Sequence, residues 1–174
     1  RTLAARTRDA VDALAAAVDA TDGVRLFAPA ETTVVCLAAA DVDPFVLADE
    51  LAARGWHTQP QLAYGDLPPT IHLTVTAAVA STVAEFAPAL ADAVAAAGTR
   101  GPVKLPPALL EAAGALTPRM VTPELIGGLA ASLGVGEGGT GPMAAVNTVL
   151  NAAPPALREA LLTGFLSLLQ RPAG

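Results

Sequence analysis

Residues 70–76 alternate between apolar and polar side chains, and this pattern limits the possible folds of the chain more than any other. The alternating run reads Ile71, His72, Leu73, Thr74, Val75 and Thr76. Successive side chains of a β-strand point to opposite faces of a sheet, so a period of two predicts a strand with one buried face. The other face carries polar groups. It is either a chemical site or a surface that meets another piece of protein.

Helix and strand signals precede this strand. An amphipathic helix is predicted over residues 1–21, with an apolar face formed by Leu3, Val11, Leu14 and Val18. Short apolar runs at 24–27 and 33–38 predict the first two strands. Asp43 followed by Pro44, with Gly55 after the last turn, predicts a helix over residues 44–54.

A further helix is predicted after the alternating strand. Thr82 and Glu85 have the spacing of a capping box, which predicts a helix that begins at Val83. Pro88 lies inside this pattern and is expected to bend the helix, and Gly98 is expected to end it.

The order of these elements predicts an α+β fold. A third strand is expected at 56–58 and is joined to the alternating strand by an irregular connection over 59–70. Helix, two strands, helix, two strands and helix together indicate a small, mainly antiparallel sheet of about four strands with helices packed on one face.

The sequence predicts three parts. Residues 1–98 form the α+β core, 99–142 a Pro- and Gly-rich helical insertion and linker, and 143–174 a C-terminal helical segment that docks on the core. The linker includes five glycines between residues 134 and 141. The last helix is expected from about Pro155 to Gln170, with a broad apolar face made of Leu157, Leu161, Phe165, Leu168 and Leu169.

Composition excludes several classes of function. Ten basic and sixteen acidic residues give a net charge of −6, which disfavours nucleic-acid binding. No apolar run approaches the roughly 20 residues that span a bilayer. The single Cys36 has no disulfide partner, so a reducing, cytoplasmic location is expected and a buried, inert thiol is favoured. Arg1 opens the sequence without Met or a helix cap, which predicts a piece cut from a longer protein.

Residue types that carry chemistry are few. His57 and His72 are the only histidines, and their spacing of fifteen residues matches no zinc motif. Lys104 is the only lysine and lies in what looks like an exposed linker, which argues against a Schiff-base role. We therefore predict no metal site and no catalytic or cofactor-binding residue in this chain.

Two short segments resemble a known family. They resemble the C-terminal domain of sphingosine-1-phosphate lyase and its bacterial relatives, which are fold type I pyridoxal-phosphate enzymes near the group II amino-acid decarboxylases. In that family a pattern such as Gly-Trp-His leads, after a short bridge, to Pro-Pro-Ser-Ile-His and a strand that ends in Thr. The positions that carry the resemblance are Gly55, Trp56, His57, Pro68, Pro69, Ile71, His72 and Thr76. We expect these residues to have structural roles.

The resemblance implies a division of labour within a longer enzyme. A large domain of the same polypeptide carries the cofactor lysine, and the small C-terminal domain closes over the active site of a homodimer. This chain lacks the family's Asp and His-Lys cofactor motifs, so we expect it to bind no pyridoxal phosphate by itself and to be inactive alone. Met143 aligns near a family Tyr at the substrate entrance, so the resemblance does not imply phosphate recognition by a phenol here, and the substrate stays open between a sphingoid phosphate and another amine or amino acid.

Two functions therefore remain open. The first is the C-terminal domain of a pyridoxal-phosphate-dependent carbon-carbon lyase or decarboxylase, which walls the active site and supports dimerisation. The alternative is a free-standing ferredoxin-like α+β module that binds a small ligand or a partner without catalysis.

Overall fold

The computed structural model describes residues 2–107, 111, 115–132 and 142–169. The chain forms two compact units that divide between Pro102 and Val103, and each is described by itself. Within the described ranges, none of the helices has the length and hydropathy needed to cross a membrane. The predicted division into three parts at residues 98 and 142 stays a prediction.

The first unit is built on a four-stranded sheet in which every neighbouring pair is antiparallel. Its strands are β1 (Val24–Leu26), β2 (Val34–Ala39), β3 (Gln59–Gln61) and β4 (Thr70–Thr74), in the spatial order β1-β2-β4-β3. The α+β prediction is confirmed.

The alternation in β4 has the predicted effect. Ile71 and Leu73 are buried, and so is Val75 immediately after the strand. His72 is half-buried and Thr74 is exposed on the other face.

The third strand lies three residues later than predicted. Trp56 still belongs to the end of the preceding helix, since its N–H donates to the Leu51 carbonyl at 2.9 Å. Pairing therefore begins at Gln59. Pro60 is tolerated in this strand because β3 lies at an edge of the sheet, where a missing N–H leaves no central ladder bond unmade.

Three helices cover one face of the sheet, as predicted. They are α1 (Thr2–Asp19), α2 (Pro44–Ala53) and α3 (Phe86–Arg100). Helix α1 contacts β1 and β2, α2 contacts β3 and β4, and α3 packs against both helices. Leu3 was expected on the buried face of α1 but is 67% exposed, and Ala10 is buried together with Val11, Leu14 and Val18.

Helix α2 begins at the predicted residue and ends at Ala53, one residue before the predicted end. The Asp43 carboxylate accepts hydrogen bonds from the N–H groups of Phe45 at 2.8 Å and Val46 at 3.1 Å. At the other end the Gly55 N–H donates to the Ala52 carbonyl, and the Trp56 bond closes the turn around it. Gly55 has a φ of +83°, the left-handed conformation that this type of helix ending requires.

Helix α3 begins and ends later than predicted, and the capping box is wrong. The Thr82 hydroxyl donates back to the Val79 carbonyl, and residues 83–85 form a separate turn of 3-10 helix. Pro88 is consequently the third residue of α3, where its missing N–H needs no helical partner. The helix continues through Gly98 and ends at Gly101, which has a φ of +70°.

The second unit is helical. A 3-10 turn at Pro118–Met120 precedes α4 (Pro123–Ser132), α5 (Ala144–Ala152) and α6 (Pro155–Leu169). Its buried cluster consists of Ile126, Ala153, Leu157 and Leu161. A Cβ added at Gly164 would overlap the Ile126 side chain, so α4 and α6 pack closely at that point. The predicted linker at 134–141, Gln170, and the side chains of Phe165, Leu168 and Leu169 lie outside the described residues.

Two glycine substitutions separate backbone strain from packing. No atom lies within 4 Å of a Cβ added at Gly55, so Gly55→Ala is expected to cost about 1–2 kcal/mol through the left-handed backbone alone. Gly98 is helical, and its added Cβ would lie 3.7 Å from Val42 Cγ1, an ordinary contact. Gly98→Ala is therefore expected to stabilise the unit by about 0.5–1 kcal/mol. Urea unfolding followed by circular dichroism measures both, and changes of the same sign would contradict this account.

Candidate functional site

The sheet has an open face, opposite the three helices. Strand register assigns to this open face the side chains of Arg25, Val34, Cys36, Ala38, Gln59, Gln61, Thr70, His72 and Thr74. Ala38 and Thr70 are buried at one end of it. The two glutamines, Arg25 and Thr74 are exposed, so the open face is mostly polar and accessible.

A row of three functional groups crosses the middle of the open face. Cys36 of β2 is opposite His72 of β4, which is opposite Gln59 of β3. Directly opposed side chains have Cβ atoms about 5 Å apart, close enough to interact. The Thr74 hydroxyl donates to Gln59 Oε1 at 3.4 Å beside this row.

Within the described part of the chain, no third side chain is hydrogen-bonded to the Cys36–His72 pair of this row. Cys36 and His72 are both half-buried, and among the described residues no side chain forms a hydrogen bond that orients the imidazole. A Cys–His pair needs a third group to fix the base and donors for a developing oxyanion. The sequence did not predict that these two residues would be neighbours, because the pairing depends on the register of distant strands.

The residues that carry the family resemblance have separate roles. The Trp56 ring packs edge-to-face on Phe86, with ring centroids 5.0 Å apart, and Ile71 is fully buried. His57 is exposed and lies outside the strands, so the structure assigns the two histidines different surroundings. No group of three His, Cys, Asp or Glu residues that could hold a metal occurs in the part of the chain that the structure describes.

The other positions of the motif flank β4. Pro68 is exposed and Pro69 is half-buried immediately before the strand. Thr76 is exposed after it, and its carbonyl accepts the Val79 N–H at 3.0 Å.

The connection between β3 and β4, which the sequence predicts to be irregular, contains a tight hairpin turn. Tyr64 and Leu67 exchange two backbone hydrogen bonds, of 3.1 and 3.0 Å, around Gly65 with its φ of +56°. Tyr64 is 81% exposed and Leu67 is 54% exposed. The tip therefore presents two large apolar side chains on a backbone held by hydrogen bonds. A Gly-Asp pair between them is the sequence signal for such a turn.

An ion-pair cluster joins α2 to α3. The Glu50 carboxylate lies 2.8 Å from Arg54 Nη1 and 3.5 Å from Arg100 Nη1. The hydrogen bond from Arg54 is the main cause that holds the pKa of Glu50 below its ordinary value of 4.5, and it outweighs the opposing effect of burial. This cluster ties helices together and lies on the helical side of the sheet, away from the open face.

Met143 belongs to the second unit. It precedes α5, is half-buried, and its carbonyl accepts the Asn147 N–H at 2.9 Å. The substrate-entrance role of Met143 that the resemblance implies stays a prediction.

Part of the second unit matches a known family model. Residues 107–168 match the family model described as "Pyridoxal-dependent enzyme, C-terminal putative HTH domain", where HTH denotes helix-turn-helix. The match covers about a third of the chain and supports a C-terminal domain of a pyridoxal-dependent enzyme. No curated protein sequence matches the chain.

The Glu50 cluster predicts a pH-dependent stability. Because the folded pKa is lowered, the stabilisation is fully present above pH 4.5 and is lost as the pH falls through the folded value. Glu50→Gln is expected to destabilise the chain at neutral pH, and its difference in unfolding free energy from the parent protein is expected to shrink in acid as the Glu50 carboxylate becomes protonated. Urea unfolding at about pH 7 and about pH 3 measures this difference.

The matched control is Asp12→Asn, which removes the Arg8–Asp12 pair. Both side chains are more than half exposed, at 52% and 56%, so the expected loss at neutral pH is smaller. Equal losses at both positions and at both pH values would contradict the assignment.

Proposed function

We propose that this chain is the C-terminal part of a pyridoxal-phosphate-dependent carbon-carbon lyase or decarboxylase, similar to sphingosine-1-phosphate lyase. In this proposal it walls one side of the active site and supports a cytoplasmic homodimer. The match of residues 107–168 to the C-terminal domain of pyridoxal-dependent enzymes carries the proposal. The motif at residues 55–76 adds the likeness to the lyases.

The residues of this chain do not fit the cofactor. A fold type I site needs a lysine for the Schiff base and a carboxylate for the pyridine nitrogen. Lys104 is exposed in the segment that follows the first unit, and within the described ranges it has neither a hydrogen bond nor an ion pair. The cofactor and its chemistry are therefore assigned to a large domain of the same polypeptide.

The open face is proposed to be the surface that meets this large domain. It carries no helix from the first unit, and it is mostly polar with a few small or apolar side chains, which fits the polar character typical of contacts between domains. The exposed Tyr64 and Leu67 at the hairpin tip extend the same type of surface. We assign the contribution of this unit to enclosing the substrate, not to bond making.

The ferredoxin-like alternative has less support. That fold has the order βαββαβ, whereas the first unit has αββαββα. No observation on the described residues favours a free-standing ligand-binding module over the enzyme domain.

The full-length polypeptide tests the assignment. The coding sequence upstream of Arg1 is expected to encode a large domain with a His-Lys cofactor motif, and the purified full-length protein is expected to show the visible absorption of bound pyridoxal phosphate. The 174-residue chain with added cofactor is the control and is expected to remain colourless. A start codon immediately before Arg1, or a colourless full-length protein, would contradict the proposal.

The two proposed reactions, carbon-carbon lyase and decarboxylase, give different products. Carbon dioxide release from an amino acid would identify a decarboxylase, and an aldehyde released from a hydroxylated amine would identify a lyase. A full-length enzyme that only transfers amino groups would contradict both.

The thiol of Cys36 reports whether the open face is covered. It is the only cysteine of the chain and lies on that face. We expect alkylation of Cys36, followed by peptide mass spectrometry, to be slower in the full-length protein than in the 174-residue chain, because a docked domain excludes the reagent. Equal alkylation rates of Cys36 in the two proteins would contradict the proposal that a domain docks on the open face, but they would not contradict the proposed family.

A further inference from the structure

A groove of about 450 Å³ lies in the second unit, between α6 and the segment that leads into α4. Its wall on α6 consists of small residues spaced four apart, Ala156, Ala160 and Gly164, which share one helical face. Pro118 and Val121 line it from the other side. A groove of this volume is in the size range of small-molecule sites. We call it the α6 groove.

The packing of α4 against α6 gives the groove an apolar floor. Ile126 of α4 lines the groove and is only 5% exposed. A Cβ added at Gly164 would overlap the Ile126 side chain, so the two helices are already in contact below the groove. Only three of the ten lining residues have polar side chains. The groove therefore suits a ligand with an apolar body and few polar groups.

The polar groups of the α6 groove indicate which charge the ligand carries. Glu159 is the only charged residue that lines the groove, and it is exposed and forms no ion pair with a described residue. Thr163 lies one turn later on the same helical face and also lines the groove. A carboxylate and a hydroxyl oxygen are both acceptors, and an ammonium group supplies three donors and no acceptor. An ammonium group therefore complements this wall, whereas an anion is repelled by it.

We propose that the α6 groove binds a small organic amine, with the ammonium at Glu159 and the apolar body against Ala160 and Ile126. An amino acid with the same side chain has a carboxylate beside its ammonium group, and Glu159 repels that carboxylate. The groove thus selects an amine over the corresponding amino acid.

This selectivity adds to the proposed function without depending on it. Decarboxylation of an amino acid yields an amine, so in a decarboxylase the groove would accept the product and reject the substrate. That consequence rests on the proposed function. The binding itself rests only on the described residues of the second unit.

The length of the groove argues against a protein segment as the occupant. Its lining residues on α6 run from Ala156 to Gly164, which is about 12 Å of helix. A specific protein interface covers about 800 Å² on each partner and needs a longer surface than this.

Nucleic acid is disfavoured by the charges around the groove, although the matched family model is described as helix-turn-helix. Glu159 repels phosphate. The neighbouring cation is already engaged, since Arg158 donates to the carbonyls of Leu150 at 3.0 Å and Asn151 at 2.9 Å.

A heteronuclear NMR titration of the 174-residue chain tests the proposal with three probes that share one branched carbon skeleton: isopentylamine, isopentyl alcohol and leucine. At neutral pH the amine is expected to shift the amide signals of Ala156, Ala160 and Gly164, with a dissociation constant of roughly millimolar order. The alcohol and leucine are each expected to bind at least about threefold more weakly, because one lacks the positive charge and the other adds a negative one.

Substitutions separate the charge from the apolar recess. Glu159→Gln is expected to weaken binding of the amine up to about fivefold and to leave binding of the alcohol unchanged. Ala160→Leu fills the groove and is expected to weaken binding of both probes. Ala156→Leu, at an exposed position of the same wall, is the second such variant and is less demanding on packing. Glu85→Gln is the matched control, since Glu85 is an exposed glutamate of the first unit, and it is expected to change nothing.

Several outcomes would overturn the proposal. They are an amine that shifts no lining residue, leucine bound as tightly as the amine, and equal effects of Glu159→Gln and Glu85→Gln. A short lysine-containing peptide that binds the groove at least about tenfold more tightly than the amine would overturn it in favour of a protein partner. Because no cofactor or activity enters the measurement, its failure leaves the proposed function untouched.

Discussion

The antiparallel pairing of β2 with β4 holds the first unit together. Each strand is also the inner partner of a hairpin, so β1 joins the sheet through β2, and β3 joins it through β4. The pairing also decides which side chains reach each face. A slip of one residue would turn Leu73 away from the helices and bring His72 into the apolar core, at a cost of burying an unpaired imidazole. The buried leucine and isoleucine therefore fix the position of the polar row that crosses the open face.

The sequence predicted those features that depend on neighbouring residues. The period of β4 and the start of α2 are right, and the end of α2 is right to within one residue, because alternation, an Asp cap and a terminal Gly act over a few positions. The start of α3 is wrong because the Thr82 hydroxyl bonds to a preceding carbonyl instead of capping the helix. The third strand begins later than predicted because the Trp56 N–H bonds to the end of α2 and the Trp56 ring packs on Phe86, so this residue does not pair with β4. The nearness of Cys36 to His72 required the register of strands that are far apart in sequence.

The two units contribute different kinds of surface. The first combines a helical side, closed by α3 and the Glu50 ion pairs, with a sheet side that is polar and accessible. The second contains a small apolar cluster and close helix packing at Gly164, with leucines left outside that cluster. Imidazole, thiol and ammonium groups are all present in the chain, yet the described residues assemble none of them into a reactive centre. The proposed framing role within a longer enzyme requires no reactive centre among these residues.

The edges of the sheet restrict the way in which other chains can join it. Both edge strands, β1 and β3, are only three residues long, and the middle residue of β3 is Pro60. A proline supplies no N–H, and a short strand offers few bonds to an incoming one, so neither edge is a good template for strand addition. The sheet is in effect limited to four strands. The sheet therefore resists the edge-to-edge association that leads to fibrils. A neighbouring domain is expected to contact the open face of the sheet and not its edges.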